Sequence, residues 1–337
     1  MVGVGIIGYG YWGPKLARVF ADTRASAVVS ICDAKLARLD DAAVRHPAAT
    51  LTTQPEEVIA NPGVDAVAIA TPEGTHFAIA LRALQAGKHV LVEKPLASTG
   101  EQCRRLIDEA ARRGRVLMVD HTFVYTGAVR LIRDLVASGE LGDILYYDSV
   151  RVNLGLFRHD VSVIWDLAVH DLSILDHVLP NRPCAVSATG MSHVPGGHED
   201  IAYLTLFFAD RFIAHLHVNW LAPVKLRRTM IGGSRKMIVY DDIEPSEKVR
   251  VYDRGIAVHD APPDSVYKAL ISYRTGDMWA PRLDPTEALQ IEAAHFLRCV
   301  EGVERPVTDG ESGLRVVRIL EAAARSMREQ GRTVELG

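Results

Sequence analysis

Asp166 and His170, four residues apart, have the types and spacing to move a proton, and Lys94 has the type to stabilise charge on an oxygen; by themselves the first two also fit a solvated helix face and Lys94 a surface lysine after a strand. The run Val163 to Leu179 reads as a helix. On it Asp166 and His170 lie one turn apart, so the carboxylate can orient or charge the imidazole. Histidine titrates near neutrality and can take a proton and return it. Asp166, His170, Ser173 and His177 fall on one side of that helix. Ile164, Ala168, Leu172, Leu175 and Leu179 fall on the other, so one face suits a core and the opposite face a polar cleft. Lys94 follows the apolar run Lys88 to Val92, and an ammonium there can hydrogen-bond an alkoxide-like oxygen. Asp166, His170 and His177 also have metal-ligand chemistry. Two of the three are already assigned to proton transfer, so no metal is expected.

A second set of residues points to a dinucleotide. Val2 to Ile7 is a short apolar run that feeds into Gly8-Tyr9-Gly10-Tyr11-Trp12-Gly13, and a helical pattern with Leu16, Val19 and Phe20 on one side follows. Gly8 allows a tight turn, Gly10 removes the side chain that would block a pyrophosphate, and Gly13 lets the helix pack close to the strand. The free amides of the helix start then face the anion. The next apolar run, Ala27 to Cys32, ends in Asp33, an acid placed to accept hydrogen bonds from a ribose. Its charge disfavours a 2′-phosphate, so NAD is expected over NADP, with Lys35 and Arg38 leaving NADP open.

These residues need elements to hold them. Strand-like runs alternate with helical ones through the first third of the chain, including Asp65 to Ala70, Lys88 to Val92 and Arg115 to Val119. That order implies parallel pairing with right-handed crossovers. Gly8, Asp33, Thr71, Lys94 and His121 all fall where such strands end, which is where ligands bind in an open parallel sheet. Thr71 at such an end, Pro72 beside it, His76 at the helix start that follows and Glu93 before Lys94 complete the expected cofactor set. Past Val119 the rhythm changes to Ile144–Asn153, Cys184–Ser192, Ile201–Phe208, Phe212–Trp220, Leu226–Ile231 and Lys236–Tyr240, several joined by short turns, as in an antiparallel sheet. His215, His217 and Asn219 share one face of their strand and suit a polar or subunit-facing surface better than a metal. The fold expected is α/β: an N-terminal Rossmann domain over 1–121 and a C-terminal α+β domain over 122–337 with a large, open, mostly antiparallel sheet. Asp284-Pro285-Thr286-Glu287 reads as a helix start. Arg151, Asn153, Arg158, His159, Arg274, Asp277 and Trp279 are candidates for contact with substrate oxygens or phosphates.

The chain has 337 residues, 48% hydrophobic and 24% charged, with a net charge of −4. Such a balance fits a folded globular protein of about two domains and gives no basic surface for nucleic acid. Cys32, Cys103, Cys184 and Cys299 are too scattered for a zinc knot or a disulfide frame. No apolar run is long enough for a membrane span, and a cytoplasmic protein is expected.

The glycine-rich start, ATPEGTH at Ala70 to His76 and EKPLA at Glu93 to Ala97 resemble the Gfo/Idh/MocA oxidoreductases, and the resemblance continues through the second domain. It implies that Lys94 lies beside a nicotinamide and the substrate hydroxyl, that Lys94–Pro95 is cis, and that Lys94, Asp166 and His170 match the lysine and Asp-x-x-x-His of inositol- and sugar-oxidising members. It also implies dimers or tetramers built through the open sheet face. GYGYWGPKLAR and IWDLAVHDLSIL look most like the branch acting on nucleotide-linked sugars, with inositol dehydrogenases the nearest rival. Other relatives are regulators without turnover or NAD-dependent glycosidases.

Overall fold

The structure, a computed structural model, describes residues 1–154, 161–258 and 271–337. Its first part alternates strand and helix: β1 (Val2–Ile7), α1 (Gly13–Asp22), β2 (Ser26–Cys32), α2 (Leu36–Arg45), β3 (Thr50–Thr52) and α3 (Pro55–Ala60). Then come β4 (Ala66–Ile69), α4 (His76–Gln85), β5 (His89–Glu93), α5 (Gly100–Arg113) and β6 (Leu117–Asp120). The second part holds α6 (Gly127–Ala137), β7 (Ile144–Leu154), a π turn (Ile164–Ala168), α7 (Val169–Val178), β8 (Pro183–Met191) and β9 (Ile201–Phe208). It continues with β10 (Ile213–Asn219), β11 (Leu221–Gly233), β12 (Met237–Asp241), β13 (Val249–Tyr252), β14 (Gly255–Val258), β15 (Ile271–Arg274) and β16 (Met278–Trp279). The chain closes with α8 (Ala288–Val300), α9 (Gly310–Arg328) and β17 (Val334–Glu335).

Packing divides the chain into two units: 1–126 with 286–321, and 127–285 with 322–337. The sequence expectation put everything after residue 121 in the second domain. The difference has a physical cause in α8, whose apolar residues Leu289, Ala293, Phe296 and Leu297 share one core with Val4, Tyr9, Leu16 and Phe20. Burying that face against α1 and the parallel sheet returns the segment to the first unit.

In the first unit six strands lie in the order β3-β2-β1-β4-β5-β6, all neighbours parallel. This is the Rossmann order, in which the crevice opens at the carboxyl ends of β1 and β4. β1 is buried along its whole length, as a central parallel strand must be. The start of α5 is set by Thr99, whose side chain accepts from the Gln102 amide.

The second unit is built on a nine-stranded sheet in the order β16-β13-β12-β11-β7-β10-β9-β8-β17. Every neighbouring pair in it is antiparallel except β10 with β7. β9 and β10 alternate buried with more exposed residues, so one face carries the core and the other shows Tyr203 and Ile213. The expected helix start at Asp284 is displaced. α8 begins at Ala288 after Glu287, with no side-chain cap. Asp284 instead bonds Arg130 at 2.5 Å, and Glu287 bonds Arg18 at 2.5 Å. Among the described residues, no helix is long and apolar enough to cross a membrane.

Candidate active site

In the first unit the chemistry-bearing residues gather at strand ends. Gly8 follows β1, Asp33 follows β2, Thr71 lies two residues beyond β4, Lys94 follows β5 and His121 follows β6. Gly8 has φ +96°, and a Cβ there would sit 2.5 Å from the Ala70 carbonyl oxygen. A Cβ on Gly13 would sit 2.0 Å from the Gly8 oxygen. These two positions therefore accept only glycine, and the start of α1 is drawn tight against the turn. At Gly10 the nearest atom to a built Cβ is Arg38 Nη1 at 3.3 Å. The atoms nearest that position belong to the end of a side chain and not to backbone, and the α1 start follows three residues on, which fits a dinucleotide pyrophosphate.

Asp33 is 5% exposed and its two oxygens are busy. Oδ2 accepts from the Tyr9 amide at 2.7 Å and from Arg38 at 3.1 Å, and Oδ1 accepts from the Lys35 amide at 2.8 Å. Burial pulls its pKa up, but the Lys35 and Tyr9 amides and the Arg38 guanidinium more than offset this, and the net shift is downward. The carboxylate is thus held charged at the position expected of a ribose acceptor. The Tyr9 side chain is only 2% exposed and packs in the core, so this residue serves the turn through its backbone. Tyr11 is 83% exposed, with the Lys15 ammonium 3.8 Å from its ring centre and 4.5 Å from that of Trp12. The Trp12 indole donates to Asp120 at 2.5 Å.

Lys94 is half-buried and its bond to Pro95 is cis. His76, expected at the cofactor, is 1% exposed. Its Nδ1 lies 2.9 Å from the Pro95 carbonyl and its Nε2 2.9 Å from the Thr71 carbonyl. It sits between the Thr71-Pro72 turn and the Lys94-Pro95 segment. Burial draws its pKa down against the pull of the two carbonyls, and a neutral ring, with one N–H, donates to only one of them.

In the second unit, Asp166 lies in the π turn and His170 in the first turn of α7, both half-buried. The π turn changes the phase of Asp166 relative to His170 from that of a regular helix, and within α7 the polar row is interrupted at Ser173. Ser173 is 4% exposed and donates to the His170 carbonyl at 2.7 Å. Burial and the Arg133 charge pull His177 down to about 4. The Trp220 indole donates to Asp166 Oδ2 at 3.3 Å. Sequence reasoning missed Trp220; its signal was a lone donor-bearing ring at the end of an alternating strand.

Two expected substrate contacts have partners within the protein. Arg151 is 4% exposed, and its Nε and Nη2 bond the Asp171 carboxylate at 2.7 and 3.2 Å. Ser149 donates to the same carboxylate at 2.8 Å. Asp171 sits on the buried side of α7, so the sheet supplies it with a cation and Arg151 fastens β7 to that helix. Arg274 bonds Asp253 and the Arg235 carbonyl, and holds strands together. Asn153 is half-buried near the end of β7. Arg158 and His159 lie outside the described residues. Asp277 and Trp279 are exposed around β16, where Trp279 pairs with Val251.

Residues 2–121 match the family described as the oxidoreductase family with an NAD-binding Rossmann fold, and residues 129–239 match the GFO/IDH/MocA C-terminal domain. The chain belongs to the Gfo/Idh/MocA oxidoreductase family. Among relatives, the UDP-N-acetylglucosamine 3-dehydrogenase of Acidithiobacillus ferrooxidans is 30% identical over 75% of this chain and 76% of its own length. The scyllo-inositol 2-dehydrogenase (NADP(+)) of Bacillus subtilis is 27% identical over 99% of this chain and 95% of its own. A levoglucosan dehydrogenase solved with NADH and levoglucosan shares the fold, with a TM-score of 0.84, 22% identity and 99% of both chains covered. Within this Gfo/Idh/MocA chain, the glycine turn, Asp33 and Lys94 are therefore carried by the NAD-binding domain. Asp166 and His170 are carried by the family's C-terminal domain.

Proposed function

We propose that this chain moves hydride between NAD(H) and a secondary alcohol or ketone of a sugar, with a nucleotide-linked sugar as the preferred class. The observation that carries the reading is the glycine turn: Gly8 and Gly13 admit no side chain, and the charged Asp33 stands at the next strand end. Bound NAD supplies the hydride acceptor. The remaining work falls to the chain's own groups. Lys94 hydrogen-bonds the substrate oxygen and stabilises its developing charge. His170 takes the hydroxyl proton and returns it in the reverse direction. Asp166, steadied by Trp220, orients His170 or a neighbouring hydroxyl. The reading requires Lys94 and His170 to act on one substrate hydroxyl.

Support for the substrate class comes from the UDP-N-acetylglucosamine 3-dehydrogenase relative. The inositol dehydrogenase relative keeps a cyclitol as the second reading, and its NADP(+) use gives weight to Arg38 beside Asp33 as a partner for a 2′-phosphate. We also assign homo-oligomer formation to the outer sheet face, where Tyr203 stacks on His217 with ring centres 4.5 Å apart beside the half-exposed Ile213. The test is reduced-nicotinamide absorbance with NAD or NADP against a panel of UDP-sugars, free sugars and inositols. Turnover of a UDP-sugar alone supports the first reading, and turnover of inositols alone replaces it with the second. Release of free sugar without net cofactor reduction would make the protein a glycosidase.

A further inference from the structure

Behind the strand end that carries Lys94 lie two carboxyl groups that the reaction does not use. β5 and β6 pair with Glu93 opposite Asp120. Asp120 is 2% exposed; its Oδ2 accepts from the Trp12 indole at 2.5 Å and its Oδ1 from the Thr122 hydroxyl at 2.5 Å. Facing it from α8 is Glu292, 0% exposed, its carboxyl beside that of Asp120 and near the Thr122 hydroxyl. The Thr122 proton is already given to Asp120. Among the described residues no donor bonds either Glu292 oxygen.

Two buried carboxylates in contact cannot both stay ionised, because like charges repel strongly out of water and one of them here lacks any donor. A single proton resolves both problems. As an acid, Glu292 donates its O–H to Asp120, which remains the charged acceptor for Trp12 and Thr122. Around the pair, Glu93 on β5 adds negative charge, and burial raises the pKa of Tyr125 and Cys299, so both stay protonated. The other titratable rings near these elements are those of His121, next to Asp120, and His295 on α8, which is bonded to Glu304.

We propose that Asp120 and Glu292 form a proton-sharing carboxyl pair that positions the glycine turn: Glu292 fixes the Asp120 carboxylate, and Asp120 fixes Trp12, the residue before Gly13. The pair is a positioning device and touches no substrate. Its functional consequence rests on the dinucleotide site proposed above, but the shared proton does not.

The full-length protein tests this with two measurements on wild type, Glu292→Gln, Glu292→Ala and Trp12→Phe. Infrared difference spectroscopy at neutral pH should show a buried protonated-carboxyl C=O band in wild type that is missing in Glu292→Gln. Calorimetric titration should show that Glu292→Gln, whose amide still donates, binds NADH within about threefold of wild type. Glu292→Ala should bind about tenfold more weakly, the effect of one lost charged hydrogen bond. Should Glu292→Ala not fold, Trp12→Phe removes the indole donor at the other end and should weaken binding about fivefold or more. Absence of the infrared band overturns the proposal, as does equal loss of binding in folded Glu292→Gln and Glu292→Ala. A wild type that shows the band yet binds no dinucleotide would instead remove the proposed function and leave the carboxyl pair standing.

Discussion

Replacing Asp33 with asparagine separates the charge of the ribose acceptor from its shape. The carboxylate takes three donors: the Tyr9 amide at 2.7 Å, the Lys35 amide at 2.8 Å and Arg38 at 3.1 Å. An asparagine can accept through one oxygen only. With that oxygen turned toward Tyr9 and Arg38, its NH2 faces the Lys35 amide and leaves one donor unpaired, which costs about 1–3 kcal/mol of stability. At the cofactor, a charge-assisted hydrogen bond to a ribose hydroxyl is worth about 1.5–3 kcal/mol. NADH affinity should therefore fall about 10- to 150-fold, at roughly tenfold per 1.4 kcal/mol. NADPH should suffer less, because the like charge facing its 2′-phosphate is gone and Arg38 is released from its ion pair. The NADPH-to-NADH affinity ratio should rise at least about tenfold. Calorimetric titration with both cofactors, beside a thermal melt that establishes folding, measures each quantity. A folded variant whose NADH affinity stays within about twofold of wild type, or whose ratio does not move, would refute the reasoning.

His170→Ala should lower turnover about 10²- to 10⁴-fold with cofactor affinity intact, in steady-state assays beside NADH titration; equal loss of both contradicts its role. Arg151→Met should cost about 3–5 kcal/mol in urea unfolding, because it strands the Asp171 charge in the interior, and joint replacement of both partners should cost less. Acid should destabilise the protein through His89. Burial and the Arg115 charge pull its pKa to about 4, so between about 6.5 and 4 the unfolded chain takes up a proton that the folded one refuses. Stability should fall by a few kcal/mol, order of magnitude, as pH drops through that window, and His89→Asn should flatten the slope in thermal melts.

The NAD-binding half was legible because its signals are local. A glycine turn must be written as glycines where a Cβ meets backbone, and a buried parallel strand must be an unbroken apolar run such as β1. The chain order of strands and helices then leaves few topologies, and the family's EKP and ATPEGTH motifs mark the strand ends in the sequence itself. The alternation in β9 and β10 likewise announced a sheet with one covered face. What the tertiary structure decided depends on partners far away in sequence. No periodicity says that α8 packs with α1 and not with the sheet it follows, since an apolar helix face fits any complementary surface. Arg151 reads as a phosphate ligand from sequence, but the fold sets Asp171 against it on the buried side of α7, and Ser173 is buried with its hydroxyl given to the His170 carbonyl. The link from Trp12 through Asp120 to Glu292 spans nearly the whole first unit. Charge and donor type can be read from a sequence, but whether a charge is solvated, paired or forced to keep its proton is set by which groups the fold brings within hydrogen-bond reach.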